Sequence, residues 1–235
     1  MGTAVVRLAD ADLLPFDFAR LADTVKGYVG EVQALLKKRQ DEVRERNRQI
    51  EDGVFAATRD PRRPLVTPAI EPVPPALNFA PLENASAALT AAAVRYEKAL
   101  AGATARLGAI AAGGAASTVG NAAGRTAGSG NTAPNAAGSI ASIRAVNAKL
   151  MQSERQLLDP AGLPHREWYR HLLYAPGFYT GYDVKTLPGV REGIEQRKYA
   201  EADAEIARAA KMLDRETALV DAAAAELART APAAK

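Results

Sequence analysis

The chain has 235 residues, enough for one large or two small domains, and its alanine-rich composition with only 6% aromatic residues predicts an all-α fold. The chain has 30 Lys and Arg residues and 27 Asp and Glu residues, which gives a net charge of +3. This weak excess is spread along the sequence, whereas nucleic-acid-binding proteins usually have a concentrated basic face. The sequence has no cysteine for a disulfide framework and no apolar run long enough to span a bilayer, so we expect neither a nucleic-acid partner nor a membrane span.

The first predicted element is a long amphipathic helix over residues 17–52, with Asp17 at the N-cap. Apolar residues recur there every three or four positions, the period of a helix with one buried face: Phe18, Leu21, Val25, Tyr28, Val32 and Leu35. The pattern continues more sparsely through Val43 and Ile50. In the charged stretch "KKRQDEVRERNR", Lys37 precedes Asp41 by four residues and Lys38 precedes Glu42 by four. This spacing indicates a self-paired solvated face rather than a nucleic-acid patch.

A proline-rich connector follows, "DPRRPLVTPAIEPVPP" at residues 60–75, and it is predicted to be extended because proline lacks an amide donor. A second helix is predicted over about 78–112. Residues 102–139 overlap its end and consist mostly of small and polar residues, which is typical of a mobile, low-complexity connection. A phosphate-binding loop is not favoured, because "GGAASTVGNAAG" has no Lys after it and no strand before it.

Two more helices are predicted, over 139–158 and 188–229, the second with Pro188 in its first turn, where proline is favoured. Four long amphipathic segments in one chain favour an antiparallel four-helix bundle. The expected organisation is therefore a single helical domain over residues 1–235.

The segment between the last two helices, "HREWYRHLLYAPGFYTGYDVKTLPG" at residues 165–189, differs from the rest of the chain and is called the aromatic loop below. It holds six aromatic residues: Trp168, Tyr169, Tyr174, Phe178, Tyr179 and Tyr182. Gly and Pro residues between them prevent a long helix. Two interpretations stay open from the residues alone: a hydrophobic plug that closes one end of the bundle, or a surface that meets another domain or a ligand.

An independent active site is not expected in this chain. The two histidines, His165 and His171, are six residues apart, which does not place them on one helix face, and three protein ligands for a zinc ion are not apparent. Neither a nucleophilic serine motif nor a pair of carboxylates in an apolar setting is evident. We therefore predict no catalytic residue and no metal ligand here.

At the aromatic loop the sequence resembles the C-terminal helical domain shared by the glutamate carboxypeptidase II-like zinc peptidases and the transferrin receptor. The resemblance is carried by "RHLLYAP" at 170–176, by Tyr182 and by "LPGVREGIEQRKYAEADAEIARAA" from Leu187. "LPFDF" at 14–18 and "LNFAPLENA" at 77–85 also look like this domain. Most of the chain is covered, apart from the low-complexity connection.

The resemblance implies a non-catalytic homodimerisation domain that has been separated from a longer zinc metallopeptidase. Its partners would be a second copy and the protease domain of the same parent chain, and zinc would belong to that absent domain, with no cofactor in this one. Tyr174, Phe178 and Tyr179 of the aromatic loop would contact the protease domain. The resemblance also suggests an exported parent protein.

Tyr182 matches by position a tyrosine that, in the family, contacts the terminal carboxylate of the substrate. The family has a lysine just before it, where this chain has Gly181, so recognition of a glutamate side chain is in doubt. Lys185 is the candidate substitute, which makes Tyr182 and Lys185 the predicted substrate-pocket residues. The alternative to the peptidase interpretation is a free-standing helical adaptor or scaffold.

Overall fold

The structure, a computed structural model, describes residues 6, 11–57, 68–119 and 134–229, and most of them are helical. The elements in chain order are α1 (Phe18–Glu51), α2 (Val54–Ala57), α3 (Ala80–Val119), α4 (Pro134–Leu150), α5 (Ser153–Gln156), β1 (Tyr174–Pro176), β2 (Val184–Thr186), α6 (Pro188–Glu195) and α7 (Tyr199–Arg229). The mostly helical fold is confirmed. The small hairpin of β1 and β2 is an exception to the expected all-α class, and the antiparallel four-helix bundle stays a prediction.

Helix α1 begins as predicted, because the Asp17 carboxylate accepts a hydrogen bond from the Arg20 amide at 2.9 Å and so caps the first turn. On its charged face Lys37 pairs with Asp41 at 3.3 Å and Lys38 with Glu42 at 4.0 Å, all four side chains being about half exposed or more. The self-paired solvated face is therefore present.

Three predicted boundaries differ from the structure. Helix α3 continues past residue 112 to Val119, because the high helix propensity of alanine outweighs the scattered glycines. The third predicted helix starts earlier, at Pro134, and is split into α4 and α5 by a turn at residues 151–152. The predicted mobility of the low-complexity connection cannot be compared at residues 120–133, which lie outside the described part of the chain.

The helix predicted over 188–229 is divided into α6 and α7. The Lys198 amide donates to the Gly193 carbonyl and the Arg197 amide to the Ile194 carbonyl, which is the hydrogen-bond pattern of a Schellman C-terminus. Arg197 takes the left-handed position of that motif with φ = 63°, where glycine is usual. The turn between α6 and α7 therefore has no glycine or proline at residues 196–198 by which the sequence could predict it.

The chain forms two compact units, of which the first comprises residues 1–24, 85–158 and 211–235. Its core contains an edge-to-face pair of rings, Phe18 and Tyr96, with centroids 4.9 Å apart. The core also contains fully buried aliphatic side chains: Leu89, Val146, Leu150, Leu213, Val220 and Leu227. On its surface Arg95 donates two hydrogen bonds to Asp221, at 2.8 and 2.9 Å.

The second unit comprises residues 25–84 and 159–210 and contains the aromatic loop. Part of the proline-rich connector, residues 68–75, lies against α1 without forming a helix, as predicted. Asn47 exchanges two hydrogen bonds with the backbone of Glu71, at 2.6 and 3.0 Å, and the Gln40 amide group donates to the carbonyls of Pro74 and Pro75. Side chains of α1 thereby satisfy the carbonyl groups of the connector.

Searching the described residues for a membrane-spanning helix finds none that combines sufficient length with sufficient apolar character.

Candidate functional site

The aromatic loop folds around the hairpin of β1 and β2, which pair antiparallel with Tyr174 opposite Thr186 and Pro176 opposite Val184. The Gly177 amide closes the hairpin by donating to the Asp183 carbonyl at 2.8 Å. The base of the hairpin is anchored in the core of the second unit through apolar side chains: Leu172, Leu173, Ala175 and Leu187. A buried base and a projecting tip at residues 177–183 define the candidate site.

Most aromatic side chains of the loop are exposed rather than packed as a plug. Exposure reaches 81% for Trp168, 80% for Tyr179 and 99% for Tyr182, and Tyr174 and Phe178 are about 40% exposed. Side chains of this size are normally covered in a folded domain. Of the two interpretations left open by the sequence, the structure therefore favours a surface that meets something else.

The predicted domain-contact residues occupy two parts of this surface. Tyr174 lies against His171, with ring centroids 4.0 Å apart, while Phe178 and Tyr179 form an edge-to-face pair at 4.9 Å. Buried His171 uses Nδ1 to accept the amides of Leu173 and Tyr174, each at 3.3 Å. The histidine thus supports the first strand from within.

The two predicted substrate-pocket residues differ in their surroundings. Tyr182 stands almost fully in solvent at the tip, and its phenol is accessible to a partner. Lys185, on β2, instead donates to the Glu195 carboxylate at 3.2 Å, and its side chain is mostly buried. The structure therefore does not bring the Lys185 ammonium together with the Tyr182 hydroxyl, because the lysine is held against α6.

A buried ion pair lies beneath the tip, and it was not predicted from the sequence. Arg166 and Glu192 are only 6% and 7% exposed, and one guanidinium nitrogen contacts both carboxylate oxygens at 2.7 Å. The other terminal nitrogen donates to the Pro176 carbonyl, and the Glu192 carboxylate accepts the Phe178 amide at 2.9 Å. Aromatic neighbours of an arginine were the only available sequence signal, since the partner is 26 residues away.

The first turn of α6 rests on a second buried carboxylate, that of Glu205 on α7. Burial raises the pKa of Glu205, while its contact with Arg208 at 2.6 Å opposes this rise. The carboxylate lies so close to Gly189 that any side chain at that position would collide with it. A larger residue where α6 begins would therefore require the Glu205 side chain to move.

The histidines do not form a metal site. His165 Nε2 lies 3.0 Å from the Glu201 carboxylate and 2.8 Å from the Lys198 ammonium. His171 instead contacts the ring of Tyr174, so the two histidines have different neighbours. Across the described ranges, no group of three or more His, Cys, Asp or Glu side chains could hold a metal ion. The described residues do not fit a zinc centre, so no chemical step is assigned to a metal in this chain.

Comparison with known proteins gives one family match. Residues 77–221, which include the whole aromatic loop, match the family described as the transferrin receptor-like dimerisation domain. That range contains all of α3, α4, α5, the hairpin and α6, and the greater part of α7.

Several curated proteins are similar over shorter stretches. A probable glutamate carboxypeptidase, LAMP1 of Arabidopsis thaliana, is 45% identical over 56 residues, which are 24% of this chain and 8% of that protein. A probable glutamate carboxypeptidase of Arthroderma benhamiae is 44% identical over 59 residues, 25% of this chain and 8% of that protein. An inactive zinc metalloprotease of Schizosaccharomyces pombe, C354.09c, is 37% identical over 73 residues, 31% and 9% respectively. The matched stretch is less than a tenth of the length of each of these three relatives.

Proposed function

The chain belongs to the transferrin receptor-like dimerisation domain family, and on that premise we propose that it is the non-catalytic homodimerisation domain of a zinc metallopeptidase related to the glutamate carboxypeptidases. One observation supports the contact with a further domain: the exposed rings of Trp168, Tyr179 and Tyr182 lie within the family-matched segment. Exposed aromatic surface of this kind marks an interaction site.

In this proposal the peptide chemistry and the zinc belong to the protease domain of the parent protein, which is exported. The relatives support a peptidase parent, since their names are glutamate carboxypeptidase and zinc metalloprotease. One of them is named inactive, so the activity of the parent is itself part of the proposal. This chain contributes association and a surface, not reacting groups.

The aromatic loop is proposed to lie against the protease domain, with Tyr182 reaching the substrate pocket. Its full exposure and its position at the hairpin tip support this role. Lys185 supports it less well, because its ammonium already pairs with Glu195. We therefore assign substrate contact to the Tyr182 phenol, and we expect the parent to bind a glutamate side chain weakly.

The association is tested by size-exclusion chromatography with light scattering on this chain over a wide concentration range. We expect a stable species of twice the 24.8 kDa chain mass. A chain that stays monomeric at every concentration contradicts the dimerisation role of this domain. A mass that rises without limit also contradicts it, because that behaviour indicates nonspecific association.

A variant in the aromatic loop distinguishes the surface that contacts the second copy from the surface that contacts the protease domain. Tyr182→Ser removes an exposed ring from the loop that is assigned to the protease domain, so it should leave the mass of the dimer unchanged. Loss of the dimer in this variant would instead place the aromatic loop in the contact between the two copies.

A further inference from the structure

The Arg166–Glu192 ion pair is an unusual feature of the second unit, because both charges are buried directly beneath an exposed loop. Moving two charges out of water is costly, and a buried ion pair is often no more stabilising than well-packed apolar residues of the same volume. Stability of the fold alone is therefore a weak reason for the pair. Its contacts suggest a more specific one.

The pair holds the backbone on both sides of Gly177, where the chain leaves β1. Arg166 donates to the carbonyl before this glycine, on Pro176, and Glu192 accepts the amide after it, on Phe178. These two bonds are charge-assisted and lie where little water competes with them. Together they set the direction in which the hairpin tip projects.

The same guanidinium also orients two rings. The Arg166 guanidinium carbon lies 5.8 Å from the centroid of Tyr169 and 5.8 Å from the centroid of Phe178. Both distances are within the range of a cation–π contact. Phe178 is thus held by its amide through Glu192 and by its ring through Arg166, and Tyr179 packs edge-on against it.

From these contacts we infer that Arg166 and Glu192 are positioning residues, whose role is to fix the conformation of the aromatic tip before it meets its partner. A loop that is ordered in advance binds more tightly, because less conformational entropy is lost on contact. What the tip meets rests on the proposed function. The ordering itself is a property of this chain and is testable without any partner.

The experiment compares three variants of this chain: Arg166→Met, Glu192→Leu and the double variant. Two quantities are measured, the free energy of unfolding in urea and the hydrogen-exchange rates of the Phe178 and Gly177 amides. Arg95→Met with Asp221→Leu is the matched control, because it removes an Arg–carboxylate pair that is bidentate but lies on the surface of the first unit.

Each single variant should be clearly less stable, since it leaves one buried charge without its partner. The double variant should regain most of the lost stability, yet its Phe178 amide should exchange about tenfold faster or more, because the acceptor for that amide is gone. The control pair should leave exchange in the loop unchanged. A double variant with wild-type exchange at Phe178 and Gly177 overturns the inference, since the pair would then serve stability alone.

Arg166→Lys provides an independent readout if the double variant fails to fold. Lysine keeps the charge opposite Glu192 but lacks the planar fork that reaches the carboxylate and Pro176 together. We expect this variant to fold and to show faster exchange at Gly177; unchanged exchange contradicts a positioning role. A monomer in the light-scattering experiment would count against the proposed function, while these exchange rates would stand unaffected.

Discussion

Glu216 on α7 provides the most quantitative prediction, because its carboxylate is completely buried in the first unit. One oxygen accepts the Ser153 hydroxyl at 2.5 Å, and the other has no hydrogen-bond partner among the described residues. Burial raises the pKa of Glu216 from 4.5 to about 7, with Ser153 opposing the rise and the charge of Glu154 adding to it. The perturbation is Glu216→Gln, which keeps the shape and removes the titration.

The sign follows from the raised pKa: the folded state holds this proton more tightly than the unfolded state does. The stabilising contribution of the protonated group is fully present below about pH 4.5 and is lost as the pH rises through about 7. A pKa difference of about 2.5 corresponds to a total of about 3 kcal/mol, at about 1.36 kcal/mol per pKa unit. About 2 kcal/mol of this lies between about pH 5.5 and pH 8.5.

The assay is urea unfolding followed by far-UV circular dichroism at both pH values and at one protein concentration, because association changes apparent stability. Relative to the wild type, the Glu216→Gln variant should gain about 2 kcal/mol in free energy of unfolding between about pH 5.5 and pH 8.5. Glu97→Gln, at an exposed carboxylate on α3, is the control and should show no such gain. If the difference between wild type and Glu216→Gln is the same at both pH values, the buried-acid reasoning is wrong.

Two further predictions concern glycine and tryptophan. Gly162→Ala should destabilise the chain by about 2 kcal/mol or more, because φ is 69° there and a side chain would strike the Glu167 backbone. Gly30→Ala within α1, where a Cβ would meet no other atom, should stabilise the chain by up to about 1 kcal/mol. Chemical denaturation measures both free energies of unfolding, and equal effects would contradict the strain argument. Trp168 is the only tryptophan of this chain, and acrylamide should quench its fluorescence efficiently in the isolated chain and less in the parent protein. In the parent protein, subtracting the fluorescence of a Trp168→Phe variant gives the signal of Trp168. Equal quenching in both proteins contradicts coverage of the loop by the protease domain.

The long helices were predictable because their signals are local. The start of α1 follows from the Asp17 cap and from apolar residues such as Val25 and Val32, which are fully buried as their spacing requires. The break between α6 and α7 was not predictable, because Arg197 adopts a backbone conformation for which its side chain gives no signal. Tertiary contact decides that turn: Gly193 approaches Ala202 closely, and a longer residue would not fit there.

For the candidate site, sequence reasoning located the loop but not its support. Clustered aromatic residues among Gly and Pro marked residues 165–189. Tyr182 is 99% exposed, and its contact with a substrate stays a prediction. The Arg166–Glu192 pair escaped notice because charged residues are usually on the surface, and only the folded chain brings these two together. The Lys185–Glu195 pair was missed for the same reason.

Side chains of α1 hold the proline-rich connector by its backbone, which constrains how this segment can vary. Gln40 and Asn47 bind backbone groups of the connector, at Pro74, Pro75 and Glu71, so they recognise its path and not its side chains. Exchanging one residue type for another leaves these bonds available, whereas inserting or deleting a single residue shifts every carbonyl past its donor at once. Substitution should therefore be common in this segment among related proteins, and changes of length rare.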